Sequence, residues 1–271
     1  MLKSCDFCPI GLEDPITARA GNLRLEDLRA ALEARVDAEA LGWLDETLAE
    51  LGNEPTRVRT AFPAVGRKLG REPLDPDADR DDVHAWTIDD AGRALMLAAL
   101  GEAAEAELAD LYRFGDTFEQ RGLLRALPYL PIGDRALSLI DDAIRTNDTR
   151  LIAAALGPYA TEHLDDDAYD QAVLKCVFCE IPISPLDGLP QRTTPSGSRM
   201  LAAFVHERVA AGRSIPAEVW EVIDRHPPAE ELRAIEAELE SPFDDRRRAV
   251  TRALEARAAA RARDKSEKER A

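Results

Sequence analysis

The chain has 271 residues, of which 45% are hydrophobic and 32% are charged, a composition typical of a soluble globular protein. Its formal net charge of −17 argues against nucleic acid as the main partner, because Lys and Arg supply most of the affinity for phosphates. No apolar run approaches the roughly 20 residues that span a bilayer, and the N-terminal sequence lacks a signal-peptide pattern. We therefore expect a cytoplasmic protein.

Positive charge is concentrated at the C-terminal end. Residues 246–271 carry ten Lys or Arg against four Asp or Glu, so this segment has a charge of +6 and residues 1–245 carry −23. A basic segment after an acidic body is typical of a solvated terminal helix, and it also fits contact with an anionic membrane surface. Residues 241–271 are predicted to form a basic C-terminal helix or tail.

The N-terminal third contains an irregular arm and several helical segments. Residues 1–22 contain Cys, Pro and Gly without periodicity and are predicted to be the irregular arm. Leucines at helical spacing from Leu23 to Leu48 predict one long or two short amphipathic helices. Residues 54–69 predict a further helical segment that Pro63 interrupts. The acidic, proline-bearing residues 71–86 are predicted to be a loop or linker.

From Thr87 onward, short amphipathic helices follow one another, and several begin with a capping signal. Thr87 and Asp90 have capping-box spacing, and Asp116 is a further N-cap candidate. Pairs of helices recur at a spacing of about 31 to 35 residues, as in helical-hairpin repeats. The predicted fold is all-α, a HEAT-like α-solenoid in one domain over residues 23–240. The predicted hairpins are residues 116–146, 147–181, 198–228 and 229–263.

The polar run RTNDTR at residues 145–150 joins two of these hairpins. We expect Asn147 to close one helix in the left-handed conformation and Asp148 to cap the next. Capping explains neither Arg145 nor Arg150. These two arginines are therefore candidates for ligand binding.

The four cysteines form two Cys-x-x-Cys pairs, Cys5 with Cys8 and Cys176 with Cys179. Such pairs build four-thiolate zinc sites, so these residues are a candidate structural zinc site, although a long stretch of chain separates the pairs. Alternatively, Cys176 lies on an apolar stripe and is a buried thiol without a metal. Redox or disulfide use is a third interpretation. No cofactor is expected unless zinc binds here.

Two other motifs do not complete a known catalytic pattern. The segment HERVA at 206–210 begins like the zinc-protease helix HExxH, but Ala210 occupies the position of the second histidine. The segment FPAVGRKLG at 62–70 lacks the Walker pattern, which leaves Arg67 either at a helix C-terminus or facing a cavity. The sequence therefore gives no firm prediction of catalysis and favours a protein that is not an enzyme.

In chain order, TAFPAVGRKLG, WTIDDAGRALML, ALPYLPIGD, RTNDTRLIAAALGPYA and QAVLKCVF resemble the EboA-type metabolite traffic proteins. The resemblance covers about residues 40–225, and the last two segments are the most specific. It implies a role in moving secondary-metabolite precursors towards the membrane or periplasm, without an established catalytic activity. It also implies partners from a metabolite gene cluster, including a membrane prenyltransferase-like protein. The CDFC arm, Cys179 and the basic tail depart from it.

The predicted helical stack and the resemblance together suggest binding on a concave face. Arginine suits a carboxylate or phosphate ligand, so the expected ligand is a small anionic metabolite or a partner enzyme. A hydrolase or isomerase with a His/Lys/Asp pocket is one alternative, and a peripheral membrane scaffold acting through the basic tail is another. The candidate binding residues are Arg67, Arg145, Asn147, Arg150, Lys175, His206 and Arg208.

Overall fold

The computed structural model describes residues 23–268, and in this range the chain is helical. Apart from an isolated bridge between Pro73 and Thr87, the described residues form no β-structure. The predicted all-α class is therefore confirmed. The helices are α1 (Leu25–Arg35), α2 (Ala38–Leu51), α3 (Val58–Ala61), α4 (Val65–Lys68), α5 (Ile88–Leu100), α6 (Ala104–Phe114), α7 (Thr117–Ala126), α8 (Leu137–Arg145), α9 (Thr149–Ala155), α10 (Pro158–His163), α11 (Asp166–Phe178), α12 (Leu189–Arg192), α13 (Pro195–Ala210), α14 (Val219–Ile223), α15 (Ala229–Ala237) and α16 (Asp244–Lys268).

The leucine-rich stretch near the N-terminus forms two helices, α1 and α2. The break lies at Val36, whose backbone is extended, and Asp37 then caps α2 by accepting a hydrogen bond from the Ala40 N–H at 2.9 Å. Between residues 55 and 68, single α-helical turns alternate with 3₁₀ turns. Pro63 lies in one of these 3₁₀ turns, where its missing N–H interrupts the α-helical pattern as predicted.

The longer helices pack against one another in chain order. α5 contacts α1 and α7, α7 contacts α9, α9 contacts α11, and α11 contacts α13. α13 also packs against α14, α15 and α16. The inward faces form one continuous hydrophobic core from Leu28 of α1 to Ala260 of α16. Each large aliphatic side chain that is fully buried there contributes about 1.5 to 3 kcal/mol, which stabilises helices too short to persist alone.

The loop between α4 and α5, residues 69–87, is irregular as predicted, but it is packed against the body. Its two ends are joined, because the Leu74 N–H donates to Trp86 O at 2.7 Å and the Ile88 N–H donates to Glu72 O at 3.0 Å. Leu74 and His84 are buried. The loop therefore covers part of the helical body instead of linking two separate units.

The basic helix α16 packs along the body. Ala249 and Val250 are buried against it, and α16 contacts α13 and α14. Arg257 and Arg261 both bind the Asp224 carboxylate, at 2.7 and 2.8 Å. Among the described helices, none has the length and apolar content that a bilayer span requires.

The joint at residues 145–150 differs from the prediction at Asn147. Glu180 is the one non-glycine residue in the described range with a positive φ, so the left-handed conformation expected for Asn147 is wrong. The Thr146 side chain closes α8 instead: its hydroxyl donates to a carbonyl of α8 at 2.8 Å and accepts from the Asp148 N–H at 3.3 Å. Asp148 caps α9 as predicted, accepting from the Arg150 N–H at 3.0 Å.

Candidate functional site

A cluster of buried charged side chains joins α5 to α7. Asp89 and Asp90 at the start of α5 are fully buried, and so is Arg93 one turn later. Arg93 donates to Asp89 at 2.5 Å, while Arg121 and Arg125 of α7 donate to Asp90 at 3.0 and 2.6 Å. Buried charges are tolerated when they are paired and hydrogen-bonded. The cluster therefore fixes α5 against α7.

Arg125 also connects α7 to the loop. Its guanidinium donates to Ala85 O at 2.6 Å and to Val83 O at 2.9 Å, in addition to Asp90. Burial raises the pKa of Asp90, but the charges of Arg125 and Arg121 offset this effect and hold the pKa below its usual value. Asp90 is therefore ionised at neutral pH, and its carboxylate pairs with both Arg121 and Arg125. Through these bonds Arg125 holds residues 83–86 in place.

A cavity of about 50 Å³, partly open to solvent, lies between this loop and the helices. One water molecule needs about 10 to 15 Å³ by this measure, so the cavity holds several water molecules or one end of a small molecule. Its wall combines aromatic rings with small side chains, prolines and a few polar groups. The lining residues are His84, Trp86, Leu124, Arg125, Pro128, Tyr129, Ala153, Ala154, Ala155, Leu156, Gly157, Pro158, Tyr159, Pro185 and Asp187.

Hydrogen bonds outside the cavity hold two tyrosines in its wall. The Tyr129 hydroxyl donates to Leu23 O at 2.6 Å. The Tyr159 hydroxyl donates to Gly133 O at 2.7 Å and accepts from the Ala136 N–H at 3.0 Å. Because the hydroxyl groups already have partners, what these side chains contribute to the cavity is their aromatic surface.

Trp86 completes the aromatic part of the wall. Its ring centroid lies 6.4 Å from that of Tyr129 in an edge arrangement, a favourable geometry for two aromatic rings. The Arg125 guanidinium lies 5.5 Å from the Trp86 ring centroid, within the range of a cation–π contact. The tryptophan at the end of the loop is thus held by a residue of the buried charge cluster.

His84 and Asp187 are the other polar residues of the wall. His84 Nε2 donates to Pro182 O at 2.8 Å, and burial lowers the pKa of His84 below its usual value. The main-chain oxygen of Asp187 accepts from the hydroxyls of Thr161 and Tyr169, at 2.8 and 2.6 Å. The Asp187 carboxylate makes no hydrogen bond or ion pair with another residue between 23 and 268.

The model of the metabolite traffic protein EboA family matches residues 25–224 of the chain. The chain belongs to the EboA family. The match extends from α1 to the end of α14 and includes every segment that lines the cavity. None of the curated proteins and none of the solved structures compared with the chain matches it.

The segments that resemble EboA proteins supply most of the cavity wall. WTIDDAGRALML contributes Trp86, ALPYLPIGD contributes Pro128 and Tyr129, and RTNDTRLIAAALGPYA contributes residues 153–159. None of the seven predicted binding residues lines the cavity. The sequence prediction favours basic side chains, whereas several of the residues that line the cavity come from the apolar second half of the RTNDTRLIAAALGPYA segment.

The structure brings Asn147 and Lys175 together. Lys175 Nζ donates to Asn147 Oδ1 at 3.3 Å, which connects α11 to the joint before α9. Arg150 binds the Asp148 carboxylate through two nitrogens, at 3.0 and 2.7 Å. Arg145 is 76% exposed, with a carboxylate of α8 at 3.8 Å. Arg145 and Asn147 are thus exposed to solvent, whereas Arg150 is held within the α9 cap.

The remaining predicted residues lie on α4 and α13. Arg67 is exposed on α4. Arg208 donates to Ser214 O at 2.9 and 3.1 Å, and His206 Nε2 lies 3.5 Å from a Glu238 carboxylate oxygen. None of the seven residues lines the cavity beside residues 69–87, and their role in binding stays a prediction for this EboA protein.

An aromatic pair lies on the same two helices as two of the predicted cations. Phe178 at the end of α11 is 68% exposed, and its ring centroid lies 6.5 Å from that of Phe204 on α13 in an edge arrangement. Lys175 precedes Phe178 on α11, and Arg208 follows Phe204 by one turn of α13. We call Lys175, Phe178, Phe204 and Arg208 the α11–α13 surface.

The thiols of the second Cys-x-x-Cys pair differ in environment. Cys176 is fully buried, and burial raises the pKa of its thiol to about 12. Cys179 is half-buried, and both are free thiols. Residues 23–268 contain no group of three or more His, Cys, Asp or Glu arranged to hold a metal ion. Cys5 and Cys8 lie outside the described residues, so the four-thiolate zinc site stays a prediction.

Proposed function

We propose that this chain is a non-catalytic carrier in metabolite traffic and that the cavity beside residues 69–87 binds the small molecule. The observation that carries the proposal is the cavity itself, whose wall combines Trp86, Tyr129 and Tyr159 with a few polar groups. Ligand sites in proteins have this mixture of apolar and aromatic surface with a small number of polar anchors. Membership of the EboA family supports the role in metabolite traffic.

The packing around the cavity suits a preformed binding site. Arg125 bonds to both the loop and the buried carboxylate of Asp90, and His84 connects the loop to Pro182. Rigid walls reduce the entropy cost of ordering the site when a ligand binds. The hydrolase or isomerase alternative stays a prediction, and it would gain support if purified protein converted a pathway intermediate and His206→Ala abolished this turnover.

The proposed architecture is a stack of helical hairpins. The packing of α5, α7, α9, α11 and α13 in chain order supports it, because repeats of this kind contact their sequence neighbours. In such a stack two of the cavity segments, residues 124–129 and 153–159, come from successive hairpins, and residues 84–86 and 185–187 come from the segments outside them. A small molecule bound there would contact both hairpins at once and stabilise their arrangement.

Extraction of small molecules from purified protein tests the carrier function. The protein would be produced in cells that carry the neighbouring metabolite genes, and mass spectrometry would identify what it releases. Ala154→Leu adds bulk to the cavity wall, whereas Ala203→Leu adds the same bulk to an exposed position of α13. We expect wild type and Ala203→Leu to release the same molecule and Ala154→Leu to release at least tenfold less, which corresponds to about 1.4 kcal/mol.

Two results would contradict the carrier function. One is that wild type releases no molecule in stoichiometric amounts. The other is that Ala154→Leu, with circular dichroism and unfolding temperature close to those of wild type, releases as much as Ala203→Leu. The spectroscopic comparison is needed because an added side chain in a packed region commonly costs about 1 to 3 kcal/mol.

An adaptor function is the second candidate, and the exposed Phe178 favours it. Exposed hydrophobic patches mark protein contacts, and Lys175 and Arg208, about one helical turn from Phe178 and Phe204 along the chain, suit an acidic segment of a partner. We propose that the α11–α13 surface docks a protein encoded in the same metabolite gene cluster, such as a membrane prenyltransferase-like protein. A small anionic metabolite at these basic residues is the corresponding ligand proposal.

Site-specific crosslinking tests the adaptor function. A photoreactive phenylalanine analogue at position 178 is compared with the same analogue at position 114, because Phe114 is also exposed, at 75%, but lies on α6. We expect position 178 alone to crosslink a protein of the gene cluster. Equal crosslinking from both positions, or none from position 178, would contradict docking at the α11–α13 surface.

A further inference from the structure

We infer that the cavity binds the positively charged end of an organic ammonium compound, with the Asp187 carboxylate as its counterion and the aromatic wall as its packing surface. The inference rests on the proposed carrier function and names the chemical class of the ligand. It differs from the anionic ligand expected from the surface arginines, which concerns another part of the molecule.

Arg125, the arginine of the cavity wall, already has hydrogen-bond partners. Arg125 is buried, and its terminal nitrogens donate to the Asp90 carboxylate and to the carbonyl oxygens of Ala85 and Val83. An anionic ligand would have to draw Arg125 away from these partners, leaving buried groups unsatisfied. Arg125 therefore positions the wall and does not serve as an anchor for an anion.

Asp187 supplies a negative charge to the cavity wall that has no cationic partner in the described part of the chain. It is half-buried, and its carboxylate has no partner among residues 23–268, whereas its main-chain oxygen is held by two hydroxyl groups. Burial raises the pKa of the neighbouring Tyr169 to about 12; the negative charge of Asp187 acts in the same direction, whereas the Thr161 hydroxyl and the charge of Arg192 act against it. A carboxylate without a partner gains a charge-assisted hydrogen bond when an ammonium group enters.

The nearest arginine on the neighbouring helix is engaged elsewhere. Arg192 of α12 donates to Thr161 O at 2.5 Å and to Leu164 O at 2.9 Å, and it pairs with the Asp166 carboxylate at 2.9 Å. It makes no ion pair with Asp187 within the described structure. The Asp187 charge is consequently left for a ligand.

The aromatic wall and the size of the cavity agree with this ligand class. Aromatic rings attract cations through their electron-rich faces, and Trp86, Tyr129 and Tyr159 all contribute to the wall. The volume of about 50 Å³ admits the ammonium end of a molecule, while the remainder extends through the opening. The cavity therefore selects its ligand by the charge at one end, and the shape of the rest of the molecule matters less.

A pair of probes with opposite charge tests the inference. 2-Phenylethylammonium and 3-phenylpropionate share a phenyl ring on a short chain, and isothermal titration calorimetry measures the binding of each to the full chain. We expect the ammonium probe to bind at least about tenfold more tightly, the ratio expected from one charge-assisted hydrogen bond. Asp187→Asn should remove this preference, while Asp141→Asn, which changes an exposed carboxylate of α8, should leave it unchanged.

The outcomes separate this inference from the carrier function. Equal or tighter binding of the carboxylate probe, or an ammonium affinity that Asp187→Asn leaves unchanged, overturns the inference. If the molecule extracted from wild-type protein is lost in Ala154→Leu but is an acid without an amine, the carrier function stands and the ammonium class is wrong. If the extracted molecule is an amine and Asp187→Asn protein retains less of it, the result supports both the carrier function and the ammonium class.

Discussion

Asp90→Asn is expected to destabilise the protein strongly, because it removes the charge that Arg121 and Arg125 share. The substituted asparagine would keep the shape of the side chain while leaving two nearly buried arginines, at 8% and 6% exposure, without this carboxylate. Breaking a buried ion pair in this way costs about 3 to 5 kcal/mol. Because Asp89 and two loop carbonyls still contact these arginines, we expect the lower end, about 3 kcal/mol.

Asp45→Asn is the matched control, since Asp45 also binds an arginine through both carboxylate oxygens but is 55% exposed. An exposed pair contributes about 1 kcal/mol or less. For a chain of this size, about 3 kcal/mol corresponds to a fall in unfolding temperature of roughly 6 to 12 °C. Scanning calorimetry on both variants measures the difference. If Asp90→Asn lowers the unfolding temperature no more than Asp45→Asn does, the buried cluster does not hold α5 against α7.

Three further predictions concern other parts of the molecule. Burial lowers the pKa of His84, so as pH falls through 6.5, the ordinary His pKa, only the unfolded chain takes up the proton. The free energy of unfolding of wild type, measured in urea, should therefore fall over this range, and that of His84→Gln should fall less. An equal fall in the two proteins would contradict this prediction. Asp224→Ala removes the carboxylate that Arg257 binds, so amide hydrogen exchange in α16 should accelerate while exchange in α5 stays unchanged. An unchanged exchange rate in α16 would contradict a role of this ion pair in holding α16 on the body. Iodoacetamide should modify Cys179 before Cys176, whose buried thiol has a pKa raised to about 12 and therefore forms little thiolate. Equal modification rates at the two cysteines would show that Cys176 is accessible.

Local signals in the sequence predicted helix ends well. Asp116 and Asp148 accept hydrogen bonds from the first turns of α7 and α9 as expected, and Asp90 accepts from the Thr87 N–H at 3.3 Å as the capping box predicts. Such contacts join residues two or three positions apart, so they can be read from spacing alone. Asn147 was the exception, because the hydroxyl of Thr146 provided a second way to close the same helix.

Contacts between distant segments were not predictable in this way. The capping-box spacing gave no sign that Asp90 is fully buried, because its arginine partners lie 31 and 35 residues further along the chain. The cavity likewise combines residues 84–86, 124–129, 153–159 and 185–187, which no short motif connects. Arg145 and Asn147 lie at the joint between α8 and α9, whereas Lys175 and His206 lie within helices. The position of a basic residue in the sequence therefore determines neither whether it faces a cavity nor whether it faces solvent.

Mapping the bound molecule onto alanine methyl groups tests the central claim most directly. Protein labelled with ¹³C in its alanine methyl groups would be titrated with the molecule extracted from wild-type protein, and the methyl spectra would be followed. If the cavity is the binding site, Ala153, Ala154 and Ala155 should show the largest shifts, because they line it. Shifts centred on Ala203 of α13, with these three methyl groups unchanged, would contradict the claim.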